Sequence, residues 1–282
     1  MRRVRLAPYL LIAPSLLFLL LLFFIPLLQT VALAFQTDTG PGFGKFNEIL
    51  GDLDFTAAIK NTFGLVVVLV PMQLALALAM AMMLRKVRSG RDLVLWVWTI
   101  PLGISDLAAG LVWLSILTER GYLNTVLFDL GFIAGPRSWL TYETPAALFL
   151  AIVVAETWRA TAIVFVILVA GVQLVPAEYE EAASVFGATA WQRFSRVTLP
   201  LLRPSIQTAL ILRTVLAFET FAVVLAIGGT NFPVLLSQAF IWQNQNQDYG
   251  VAAAYAVVIM AITLVATLAY LTALRPRAGE PR

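Results

Sequence analysis

Apolar side chains fall along this chain in six long blocks, at 9–35, 61–84, 93–118, 144–172, 205–227 and 249–274, with polar stretches between them. Three uncharged runs, 6–37, 61–84 and 249–274, each exceed the roughly 20 residues that a helix needs to cross hydrocarbon. The pattern predicts an all-α membrane protein of six transmembrane helices forming a single domain over 1–282. The first block follows a basic stretch, as the core of a signal peptide would. Such a core has about 7–15 residues. This run is about twice as long, holds Pro14 and Pro26 and lacks a small-residue cleavage site before Gln36, so it reads as a retained helix. Small side chains at Ala75, Ala79 and 252–256 mark faces where helices can approach closely.

Composition narrows the chemistry. Hydrophobic residues make up 60% and charged residues 12%, about half the charged share of a soluble domain, which excludes a soluble enzyme. The chain has no Cys and no His, so thiol nucleophiles, disulfides, zinc sites, haem ligation and Ser-His-Asp catalysis are all out of reach. A net charge of +3 could point to nucleic acid, but the positions of the basic residues say otherwise. With six spans, 13 lie on one face: Arg2, Arg3, Arg5, Arg85, Lys86, Arg88, Arg91, Arg193, Arg196, Arg203, Arg275, Arg277 and Arg282. The other face has Lys45, Arg120 and Arg137, with Lys60 at the border of the second block. This asymmetry places both termini in the cytoplasm and gives the basic excess to topology, with membrane lipid as the surroundings and no nucleic-acid partner.

About thirty residues, 174–203, separate the fourth block from the fifth on the cytoplasmic side. Pro176 and then Glu178, Glu180 and Glu181 suit the first turns of a helix, where carboxylates meet the positive end of the dipole, and Gly187 supplies a stop. Tyr179, Ala182, Ala183, Phe186 and Ala190 fall at helical spacing on one face. A helix lying on a membrane surface usually carries Lys and Arg opposite its apolar stripe, whereas this one carries glutamates, so a protein partner is expected. A second short helix is predicted at 189–197, ending before Leu199-Pro200, and Pro204 opens the fifth block.

Glu181-Ala182-Ala183, Gly187-Ala188, Phe194, Val197-Thr198-Leu199-Pro200 and Pro204 together resemble the EAA loop of permease subunits of bacterial ABC importers. Nearly the whole chain is similar to the carbohydrate-uptake branch of that family, which includes maltose and glycerol-3-phosphate permeases. The likeness runs through Tyr9 to Pro14, Asn61-Thr62, Pro101, Trp113, Gly121, Asn124, Thr157-Trp158, Gly171, Phe218, Phe221, Gly228-Gly229 and Tyr249-Gly250. One departure stands out: the family usually has Asp before the EAA glycine, and here Phe186 occupies that place.

The resemblance implies a type I importer permease fold with a coupling helix, roughly 177–188, seated in a cleft of a cytoplasmic ATPase dimer through Glu178, Glu181, Ala182, Ala183, Phe186 and Gly187. It implies a second, related permease subunit and a substrate-binding protein on the outer side. ATP and Mg would be bound by the ATPase, and this chain would hold no cofactor. Its own Gly40-Pro-Gly-Phe-Gly-Lys45 lacks the glycine spacing and the Ser/Thr of a phosphate-binding loop.

Charges at membrane depth are few: Asp106, Glu156, Arg159, Arg213 and Glu219. Glu156 and Arg159 can pair on one helix, and Asp106 can hydrogen-bond between helices. By resemblance to the sugar-holding half of the maltose permease, substrate-binding positions fall on Glu156, Ala160, Ile163, Arg213, Leu216, Ala217 and Thr220. Carboxylates and guanidinium groups suit sugar hydroxyls, because charge-assisted hydrogen bonds are strong, and the alternative is that Glu156 and Arg213 pair with each other as a gate. The outer stretch 228–248, with Trp242-Gln-Asn-Gln-Asn-Gln247, reads as a solvated loop or as a contact for sugar or binding protein. Two other classes compete: an ion-coupled secondary transporter, against which stands the lack of an internal repeat between halves, and an integral membrane enzyme, which needs a nucleophile, metal or acid-base pair facing a substrate, for which the lone ion-pair candidates are poor evidence.

Overall fold

The computed structural model describes residues 7–37, 40–87, 89–141 and 143–273. Seven of the basic residues behind the expected orientation, Arg2, Arg3, Arg5, Arg88, Arg275, Arg277 and Arg282, lie outside them. In chain order, α1 (Ala7–Leu19) passes through a π turn (Leu20–Phe24) into α2 (Ile25–Ala34), and a two-residue hairpin pairs β1 (Gln36–Thr37) with β2 (Gly40–Pro41). Then come α3 (Gly44–Gly51), α4 (Phe55–Lys86), α5 (Arg91–Thr99), α6 (Asp106–Leu117), α7 (Tyr122–Asp129), α8 (Pro145–Gln173) and α9 (Ala177–Val185). The rest is α10 (Ala190–Arg193), α11 (Leu199–Leu201), α12 (Arg203–Phe218), α13 (Ala222–Gly228), α14 (Leu235–Asn244) and α15 (Tyr249–Ala273).

Four stretches are helices long and apolar enough to cross a membrane unbroken: Leu10–Ala34, Phe55–Lys86, Pro145–Gln173 and Tyr249–Ala273. The other two expected spans are interrupted. The block at 93–118 is no single rod, because Arg91–Gly103 and Asp106–Asp129 meet at 96°. The cause is local: Pro101 sits in a 3₁₀ turn (Ile100–Gly103), and Ser105 starts a new helix by accepting a hydrogen bond from the Ala108 amide at 3.2 Å. The block at 205–227 breaks at Glu219–Thr220–Phe221, between α12 and α13. The second short helix expected on the 174–203 connection also differs from expectation. A Thr189–Gln192 capping box starts α10, and the chain runs on through a π turn (Phe194–Thr198) into α11, so Pro200 is accommodated and not a terminator. Ala190–Leu201 and Arg203–Phe218 meet at 67°.

Packing centres on α4 and α8, with α12 and α13 laid against them. One apolar layer joins Leu65 and Leu69 of α4, Leu148 and Ile152 of α8, and Val223, Val224 and Ile227 of α13. A second joins Ala77, Ala81 and Leu84 of α4, Phe165 and Leu168 of α8, and Leu202 and Ala209. Between these layers, on the same faces of the same helices, lie Gln73, Glu156 and Arg213, all buried. The close fit of α8 on the start of α12 depends on Gly171: a Cβ there would lie 2.6 Å from the Cβ of Ser205. Overpacking of this kind costs about 1–3 kcal/mol. Gly171→Val is therefore expected to lower the thermal unfolding midpoint of the detergent-purified protein, and an unchanged midpoint would show that the two helices can separate freely.

Candidate functional site

Two clusters of polar side chains stand out, one at membrane depth and one on the 174–203 connection. At membrane depth the charged residues form a chain across three helices. Asp106, at the first position of α6, meets Arg159 of α8 at 2.8 Å, and Arg159 meets Glu156 one turn earlier at 3.3 Å. Glu156 also pairs with Arg213 of α12 at 3.1 Å. The Arg213 Nε donates to the side-chain oxygen of Gln73 on α4, whose amide nitrogen donates back to the Glu156 carbonyl at 2.9 Å. Glu156 is 1% exposed and Arg213 2%. The break ahead of α6 is what brings Asp106 into the network, since it sets the start of that helix beside the middle of α8.

The seven positions expected to bind substrate do not line one open surface of this chain. Glu156, Ala160, Arg213, Ala217 and Thr220 are buried inside it, Ile163 is half-buried, and Leu216 is exposed. The i, i+4, i+7 spacing of Glu156, Ala160 and Ile163 puts them on the α8 face that packs against neighbouring helices of the same chain. Glu156 and Arg213 face each other, which is the paired arrangement. Gln73 was not among the candidates; the signal in the sequence was an amide in the middle of an otherwise apolar span.

On the connection, α9 ends in a Schellman motif. Gly187 has φ +78°, its amide donates to the Ser184 carbonyl at 3.0 Å, and the Ala188 amide donates to the Ala183 carbonyl at 3.0 Å. The three glutamates diverge. Glu180 turns toward the bundle, where it pairs with Arg85 at the end of α4 and accepts a 2.6 Å hydrogen bond from Thr198. Glu178 and Glu181 are exposed, as are Tyr179, Ala182 and Gly187, and Ala183 is half-buried. Phe186 is 90% exposed, Val185 84% and Trp191 70%. An amphipathic helix normally hides its apolar stripe. This one anchors itself by a carboxylate and turns its apolar side outward.

Burial works to raise the Glu180 pKa, but the Thr198 hydrogen bond and the Arg85 pairing outweigh it and hold the carboxyl below its ordinary value. The anchoring of α9 is then complete above the ordinary carboxylate range and is lost as pH falls through the depressed value. Glu180→Gln is expected to lower the hydrogen-exchange protection of 177–198 at neutral pH, and wild type to fall to the same protection, relative to the intrinsic exchange rate at each pH, only in acid. Equal exchange in both proteins at neutral pH would count against the clamp.

On the far side of the bundle, 228–248 is not a loop throughout, since α14 occupies half of it and meets the Ala222–Asn231 segment at 78°. Trp242 is tied down: its indole nitrogen donates to Asp52 at 2.9 Å, and the Tyr255 hydroxyl donates to the same oxygen at 2.8 Å. Lys45 pairs with Asp248 at 2.9 Å, clipping α3 to the start of α15. Gln243 to Gln247 remain exposed.

With this geometry in view, residues 73–278 match the family described as the binding-protein-dependent transport system inner membrane component. The chain belongs to that family. This permease is 30% identical over 276 residues to the trehalose/maltose transport system permease protein MalF of Thermococcus litoralis, covering 93% of this chain and 92% of that one. It is 31% identical over 290 residues to the sulfoquinovosyl glycerol transport system permease protein SmoG of Agrobacterium fabrum, covering 97% and 92%. In fold, the permease is similar to a chain of a bacterial ABC transporter involved in import of the acidic polysaccharide alginate, with a TM-score of 0.81, 23% identity and 95% of each chain covered. The all-α, multi-pass permease architecture expected from the sequence is thereby established.

Proposed function

We propose that this permease is one membrane half of an ATP-driven importer for sugars, working by alternating access with a related second half, a cytoplasmic ATPase dimer and an extracytoplasmic binding protein. It crosses the membrane six times, with α5 and α6 forming a bent third span, α12 and α13 a bent fifth, and both termini in the cytoplasm. The observation that carries this reading is the outward apolar side of α9, with Phe186 and Val185 almost fully exposed on a helix clamped through Arg85, Glu180 and Thr198. A connector that transmits force needs a rigid attachment to the spans and a free face for the motor, and α9 has both. Glu178 and Glu181 flank that face and are available to polar groups of the ATPase, which binds the ATP and Mg. Phe186 gives this chain an aromatic contact in place of a carboxylate. A second permease half is supported by the N-terminal helix, whose most apolar 18-residue stretch, lying within Leu10–Ala34, has no residue buried in this chain. The sugar class rests on the names of the relatives.

A tagged permease is expected to co-purify with an ATPase and a second permease, and the assembly in proteoliposomes to accumulate trehalose or maltose only when ATP and the binding protein are present. Broken spans also occur in secondary transporters. Uptake driven by an ion gradient without ATP would replace the importer reading with that one.

A further inference from the structure

A cavity of about 610 Å³ opens between the C-terminal turns of α4 and α10, and none of the seven positions expected to bind substrate lines it. Leu78, Ala79 and Met82 give it an apolar wall on α4. Lys86, the last residue of α4, and Arg193, the last of α10, bring two cations to the same space. Among the described residues, neither of these side chains has a hydrogen bond or an ion pair. Glu180 also lines the cavity, but it is held by Arg85 and Thr198. Arg85, Lys86 and Arg193 against one carboxylate leave this corner two positive charges in excess.

α4 is long and apolar enough to cross a membrane, and its uncharged run stops at Leu84, with Arg85 and Lys86 next. On a helix that crosses hydrocarbon, such a switch from apolar to basic falls where acyl chains give way to headgroups, a level at which tryptophan also collects. Trp191 lines the cavity and is 70% exposed. An apolar protein segment seated here would desolvate two cations without pairing them, which is costly, and a free anion would leave the α4 wall bare. An amphiphile with a negative head satisfies both parts. We propose that this cavity binds one anionic phospholipid, with an acyl chain against the α4 wall and the headgroup phosphate received by Lys86 and Arg193. Arg193 also acts by charge on Glu180, the residue that clamps α9. A headgroup that fixes α10 against α4 therefore stiffens the whole connection.

The site rests on α4 crossing the membrane; its bearing on transport rests on the importer reading, and the two are measured apart. The full-length permease, alone and in its co-purified assembly, is titrated with phosphatidylglycerol or phosphatidylcholine of the same acyl chains, and bound lipid is read by native mass spectrometry. Wild type is expected to hold one phosphatidylglycerol about thirtyfold more tightly than phosphatidylcholine, the worth of two basic contacts. Millimolar inorganic phosphate is expected to leave that lipid in place. Lys86→Gln combined with Arg193→Gln is expected to abolish the preference, and Ala79→Phe, which fills the wall without touching a charge, to weaken both lipids. Arg196→Gln removes an exposed cation that does not line the cavity and is the unchanged control. In nanodiscs, phosphatidylglycerol is expected to raise hydrogen-exchange protection across 177–198 in wild type and not in the double variant. Equal retention of the two lipids, a preference that survives the double variant, or displacement by phosphate overturns the site. A preference seen in the isolated chain and lost in the assembly gives the cavity to another subunit and overturns it likewise. Unchanged protection in nanodiscs overturns the stiffening. Lipid preference in a permease that purifies with no ATPase upholds the site and ends the importer reading alone.

Discussion

Gly187→Val is expected to leave the permease in the membrane while disconnecting ATP hydrolysis from uptake. Gly187 sits at φ +78°, which for a residue with a Cβ costs roughly 1–2 kcal/mol and is worse for a β-branched one. No atom lies within 4 Å of the place a Cβ would occupy, so the penalty is conformational and not a clash. The cheapest relief is to abandon the Schellman turn, in which the Gly187 and Ala188 amides satisfy the last carbonyls of α9. The end of α9 then frays, and Phe186, the most exposed aromatic on the connection, loses its fixed direction. The measurement is ATPase activity and sugar uptake side by side in proteoliposomes, with hydrolysis retained and transport reduced at least tenfold. Gly187→Asn, which tolerates the left-handed region, is expected to recover most of the transport. Full transport by the valine variant would mean that force does not pass through α9.

The second large effect is expected at the buried pair. Removing one partner of a buried ion pair typically costs about 3–5 kcal/mol, because the remaining charge is left without compensation. Arg213→Met strands Glu156 with only Arg159 in reach and frees the Gln73 amide oxygen, so the purified protein is expected to lose thermal stability sharply and to fail in uptake. Glu156→Gln combined with Arg213→Met removes both charges and is expected to regain more than half of the lost stability, since the surrounding layers are apolar. Additive losses in the double variant would show that the two residues act independently. Substrate protection of either position would instead favour direct ligand contact.

The expected elements fared unevenly, for identifiable reasons. Four long spans and the helix ending at Gly187 were legible because each has an uninterrupted apolar or capped signature of its own. The breaks inside the apolar blocks at 93–118 and 205–227 were not read as such, because hydropathy averages over a window and a break of three to six residues leaves the average unchanged. The clues were nevertheless present in Pro101, Gly103 and the Ser105-Asp106 helix start. For the connection, the acidic and apolar faces were visible, but which glutamate would turn inward was not, since that depends on Arg85 and Thr198, which lie 95 and 18 residues away in sequence.

The sequence by itself determined that this chain lives in a membrane, has no thiol or imidazole chemistry, and carries a capped acidic helix between its fourth and fifth apolar blocks. These follow from composition and local periodicity, which act residue by residue. The tertiary structure alone decided that Glu156 belongs with Arg213 and Gln73, that Asp106 reaches Arg159, and that Glu219 is left over. Pairing of charges depends on the rotation of each helix about its axis and on the depth at which each begins, and both are set by packing between helices distant in the chain.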